Sequence, residues 1–168
     1  MNQTRRGSLP LLLVIAASLL LMPGVLSAQS KGEKKGPVYR QNRGAIVFAS
    51  QPIQTPGETK AFAKVVREAR REKTLQADAK GNWTFHFIAF LKHTPRADKV
   101  NLVWYRLGKK REQVDYTEFV VPPDEVTLQA KATLHSAMFK RGDKLEARVT
   151  RLIGGREVVY ARCNLELR

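Results

Sequence analysis

Cysteine is almost missing from this chain, with Cys163 alone among 168 residues. One thiol closes no internal disulfide and supplies no thiolate set for zinc. Histidine is nearly as scarce. His86, His93 and His135 are scattered, and none has the paired spacing of metal ligands, so no metal and no cofactor is expected. Acids are half as numerous as bases, 15 against 30, which gives a net charge of +15. Asp115 and Glu118 stand three apart on a predicted strand and face opposite sides, so they do not make a catalytic carboxylate pair. The sequence has no Gly-x-Ser-x-Gly and no glycine loop between a strand and a helix. Without a nucleophile, base and orienter in view, the chain is expected to be no enzyme. Cys163 alternates with Val159, Ala161, Leu165 and Leu167, the pattern of a buried cysteine acting as a small hydrophobe. The basic helix over about 56–72 lacks exposed aromatics interleaved with its cations, which would stack on bases, so nucleic acid is not expected as a partner.

What is present begins with "MNQTRRGSLPLLLVIAASLLLMPGVLSAQS". Arg5 and Arg6 precede an apolar core from Leu9 to Leu21, Pro23-Gly24 breaks it, and Ala28 or Ser30 offers a small residue for cleavage. Charge, length and order are those of a secretory signal peptide over 1–28. The apolar run is short for a membrane span, which needs about 18 or more residues. The protein is therefore expected to be exported, to the periplasm or the exterior. Cleavage removes two arginines and no acid, leaving 28 basic and 15 acidic side chains and a net charge of +13. About 140 residues remain, enough for one domain with a real core.

Residues 29–44 are polar and basic and are expected to form a flexible arm. A single domain is expected over 45–168. "AIVFAS" reads as a first strand. Thr55-Pro56-Gly57-Glu58 then reads as a capping box opening a helix over about 56–72. Phe62, Val65, Val66 and Ala69 share its apolar face, with Lys60, Lys64, Arg67 and Arg71 together on the opposite side. After the helix the period switches to two. Runs at 73–76, 82–91, 99–107, 113–121, 125–135, 144–153 and 156–167 alternate or are apolar throughout. Trp83, Phe85, Phe87, Ala89 and Leu91 share one face of the second run, while Ile88 and Phe90 make its other face apolar, as expected of a central strand or one beneath the helix. Val126, Leu128, Ala130, Ala132 and Leu134 form the inner face of another. Gly154-Gly155 is a two-residue hairpin loop. Arg141-Gly142-Asp143 is read as a turn. The fold class is mainly β, an antiparallel β-sandwich of about seven strands with one basic amphipathic helix near the start of the mature chain. A half-open barrel is the alternative.

The closing stretch "FKRGDKLEARVTRLIGGREVVYARCNLEL" resembles the last strands of immunoglobulin-like and fibronectin-type-III-like sandwiches, a likeness of topology over about 80 residues from Trp83 onward. The whole chain also resembles uncharacterised secreted bacterial proteins that carry a leader, a basic helix and such a sandwich. The resemblance implies a fold and no activity.

The basic surface is the functional signal. The helix stripe Lys60, Lys64, Arg67 and Arg71 and the turn Lys109, Lys110 and Arg111 are the expected anion-binding residues. The expected function is non-enzymatic binding, by a monomer, of an anionic envelope polymer such as lipopolysaccharide or acidic polysaccharide. Attraction to a membrane surface would be by charge alone. The alternative is a structural or protein-interaction module of the envelope that pairs through a sheet edge or an apolar patch.

Overall fold

The computed structural model describes residues 36–53 and 59–168. The proposed leader, the first part of the arm and the Thr55–Glu58 capping box lie outside the described residues. Eight strands and two helices follow in the order α1 (Pro37–Asn42), β1 (Ile46–Ala49), α2 (Lys60–Arg71), β2 (Thr74–Leu75), β3 (Trp83–Phe90), β4 (Lys99–Arg106), β5 (Glu112–Val120), β6 (Thr127–Leu134), β7 (Lys144–Ile153) and β8 (Arg156–Leu167). They form two sheets, one ordered β1-β3-β6 and the other β2-β8-β7-β4-β5. All pairings between these strands are antiparallel except β2 with β8, and an isolated parallel bridge joins Ala45 to Arg162. The expected β-sandwich with one basic helix is the observed fold class.

The strands form where branched and aromatic residues alternate, and the buried set closes the space between the sheets. Phe48, Phe85, Phe87, Leu102, Trp104, Leu145, Ala147 and Val149 belong to this core. Phe85 stands edge-on to both Phe48 and Trp104, with ring centroids 5.3 and 5.7 Å away. Such contacts add roughly 0.5–1.5 kcal/mol to plain burial. β3 is buried on both faces because it is central in its sheet and also lies under the helices. Ile88 and Phe90 join Val47, Phe62, Val66 and Ala69 in a second apolar cluster on the outer side of the three-stranded sheet. The Gly154-Gly155 loop has φ of +55° and +76°, the left-handed pair a tight hairpin requires.

Five details differ from the expectations. The helix begins at Lys60, and its N-cap is Thr59, whose hydroxyl accepts the Phe62 amide at 3.2 Å. Val65 is 41% exposed, so α2 docks by Phe62, Val66 and Ala69. The last part of the arm is ordered. Pro37 opens α1, Val38 and Tyr39 are buried in the second cluster, and the Tyr39 hydroxyl donates to the Leu91 carbonyl. Two apolar residues and one long-range hydrogen bond outweigh the polar composition around them. Finally, the register of β7 and β8 shifts at Val149/Thr150, so Tyr160 has no partner of its own there and turns into the core. Before that bulge the core-side residue is Val158, not Val159. Val126 also differs, because it sits before β6 begins and packs into the second cluster.

Candidate anion-binding surface

Lys60, Lys64, Arg67 and Arg71 are all exposed on α2, over the outer face of the three-stranded sheet. Lys64 is 4.0 Å from Glu68 in an exposed i,i+4 pair, which holds it weakly. Arg70, beside the stripe, is engaged elsewhere, donating to the Gln41 carbonyl at 3.1 Å and the Asn42 side chain at 3.2 Å. These bonds tie α2 to α1.

The chain then leaves α2 and joins the edge of the five-stranded sheet. The Lys73 carbonyl accepts the Glu166 amide at 2.8 Å, which sets Lys73 beside β8. Its ammonium lies 3.7 Å from the Cys163 sulfur. Cys163 is half-buried and packs on the core, somewhat more open than expected. Burial pushes its thiol up, with Lys73 and Arg70 only partly opposing, so it is held in the neutral form.

Strand alternation explains the next cations. Leu145, Ala147 and Val149 point into the core, so Lys144, Glu146 and Arg148 point out. The register sets Lys144 opposite Glu166, Glu146 opposite Asn164, and Arg148 opposite Arg162 on that same outer face. A groove of about 890 Å³ runs here, lined by Lys73, Lys144, Arg162 and Arg168 with Glu146 and Glu166. Both carboxylates are already engaged. Glu166 accepts from Arg168 at 3.3 Å, and Glu146 accepts from Arg148 at 2.8 Å. Among the described residues, Lys73, Lys144 and Arg162 have no carboxylate within 4.0 Å.

The β4–β5 turn borders this groove. Lys109 and Lys110 are exposed at its tip. Arg111 is drawn over the outer face, with its guanidinium 4.9 Å from the Tyr105 ring centre and 3.6 Å from Glu146. Arg148 lies 5.0 Å from the same ring and reaches Glu157 at 3.1 Å. Tyr105 donates its hydroxyl to Glu157 at 2.7 Å. Burial works against the charge of Arg148, but Glu146 and Glu157 outweigh it and hold the guanidinium above its usual value. Burial is also the main cause of the raised Tyr105 phenol, with Glu157 adding to it.

The seven expected residues therefore do not form one surface. The helix stripe covers the outer side of one sheet, while Arg111 lies on the outer side of the other. Lys73, Lys144 and Arg162 are not among the seven. Their signal was the alternation in "KLEARVTR" and "ARCNLELR", and it becomes a site only through the β7–β8 register. Among the described residues no cluster of three or more His, Cys, Asp or Glu side chains could hold a metal. The Arg141-Gly142-Asp143 segment forms a turn in which Asp143 accepts the Lys140 amide at 3.0 Å and Arg106 at 3.3 Å. Compared with known proteins, the chain matches no family model and no curated protein.

Proposed function

We propose that this protein is a non-enzymatic, exported envelope protein that binds an anionic polymer, lipopolysaccharide or an acidic polysaccharide. The observation that carries the reading is the groove on β7 and β8. Among the described residues, Lys73, Lys144 and Arg162 face it without acidic partners, while Glu146 and Glu166 are each neutralised by an arginine. The exposed Lys109 and Lys110 extend the positive field at one side, and the α2 stripe offers a second cationic face. Charge arranged this way attracts a polyanion and releases its counterions. Export rests on the leader sequence. We also infer an immunoglobulin-like topology. Its support is the strand order, in which β1-β3-β6 match the A, B and E strands and β8-β7-β4-β5 match G, F, C and C′.

The test is a calorimetric titration with lipopolysaccharide and with polygalacturonate. Lys144→Glu/Arg162→Glu is expected to weaken binding at least tenfold, and Lys64→Glu/Arg67→Glu/Arg71→Glu to weaken it less. Unchanged binding in both variants would refute the reading. The second reading, a protein-interaction module, has its own observation. β5 is an edge strand of nine residues with Tyr116 61% and Val120 76% exposed. Such an edge can accept a strand from another protein. A complex that forms equally at high and low salt, and is lost in Tyr116→Lys/Val120→Lys, would favour it.

A further inference from the structure

The β3–β4 loop and the β7–β8 hairpin meet at one end of the sandwich around a pocket of about 570 Å³. This lies within the size range of small-molecule sites. Pro95, Ile153, Val158 and Tyr160 give it an apolar floor, and Arg96 and Arg151 stand among its lining residues with His93. Among the described residues no carboxylate lines it.

The site is built from several directions. Arg151 donates to the Pro95 carbonyl at 3.1 Å and the Tyr160 hydroxyl donates to the same oxygen at 3.4 Å. The His93 ring packs 4.9 Å from the Tyr160 ring. Arg96 holds a φ of +51°, a left-handed backbone that side-chain-bearing residues seldom adopt, and its amide is fixed to the Pro123 carbonyl at 3.2 Å. Departures of this kind gather at ligand sites. Arg96 forms no ion pair among the described residues, so its cation is open to a ligand.

We infer that this pocket binds a small amphipathic anion, one apolar ring system or acyl body bearing one acidic group. Pro95, Ile153 and Val158 take the apolar body, and Arg96 and Arg151 take the charge. The groove on β7 and β8 differs in kind, because its lining mixes lysines and arginines with two carboxylates and suits a chain of charges.

The probe is anilinonaphthalene sulfonate, an aromatic monoanion whose fluorescence rises on burial. Phenylnaphthylamine serves as its uncharged counterpart. The purified protein is expected to bind the anionic dye saturably at one site and the neutral dye at least tenfold more weakly. Arg96→Gly removes the cation while suiting the left-handed backbone. It is expected to weaken the anionic dye about tenfold, the loss of one charge-assisted bond. Ile153→Asp, at a position 47% exposed, is expected to abolish binding. Lys144→Glu/Arg162→Glu is expected to leave the dye unaffected. The inference is overturned if the neutral dye binds as well, if Arg96→Gly and Ile153→Asp bind normally, if no saturable binding occurs, or if the Lys144/Arg162 variant loses the dye.

Discussion

Replacing Arg148 with methionine tests the charged cluster that neutralises the groove carboxylate. Arg148 is only 9% exposed and gives up two bonds in the change, 2.8 Å to Glu146 and 3.1 Å to Glu157. Glu157 keeps the Tyr105 hydroxyl at 2.7 Å and is partly open to water, so it loses little. Glu146 is the sensitive partner, because its side chain is 10% exposed and, among the described residues, it retains the Arg111 cation alone, at 3.6 Å. A broken charge-assisted bond to such a group costs roughly 1.5–3 kcal/mol. Two effects reduce the total. Methionine keeps the apolar packing of the arginine stem, and the change removes a buried Nε that has no hydrogen-bond partner among the described residues. Arg148→Met is therefore expected to cost about 2 kcal/mol. Arg148→Met/Glu146→Leu leaves no carboxylate stranded and is expected to cost about 1 kcal/mol, less than the arginine change alone. Urea unfolding followed by the fluorescence of the buried Trp83 and Trp104 reads both values, at constant denaturant slope. The reasoning fails if Arg148→Met lies within about 0.5 kcal/mol of the wild type, or if the double variant costs the sum of the singles.

Two further predictions follow from burial. Val66→Ala should destabilise by about 2 kcal/mol, two buried methyl groups at roughly 0.8 kcal/mol each plus a small cavity. Val65→Ala should change the same unfolding curve by less than about 0.5 kcal/mol, since Val65 is on the open side of α2. Equal effects would contradict the observed docking face. Cys163 should be alkylated more slowly in the folded protein than in urea at pH 8, because burial holds its thiol above the usual value. A raised acid stabilises the fold through its neutral form. That contribution is fully present below the unfolded thiol's pKa and is lost as pH rises through the folded value. Faster alkylation in the folded state would overturn the assignment.

The strands are legible because their residues alternate over long runs, and the two apolar faces of β3 point to a central strand or one beneath the helix; the structure shows both. Local competition hid the rest. Thr55 and Thr59 both precede a helical run, but Thr59 stands three residues before Phe62, so docking of Phe62 and capping of its amide occur together. Nothing within β8 marks the bulge at Tyr160, which follows from its pairing with β7. The helix stripe was visible because its four cations lie within one element. Lys73, Lys144 and Arg162 come from three segments and meet only through strand register, so no local pattern points to them.

The salt dependence of polyanion binding tests the central claim most directly. Affinity for polygalacturonate would be measured from low to physiological salt for the wild type and for Lys144→Glu/Arg162→Glu. The account predicts a steep linear fall of log affinity with log salt concentration, with a slope shallower by roughly one for each cation replaced in the variant. A slope near zero in the wild type, or the same slope in both proteins, would contradict it.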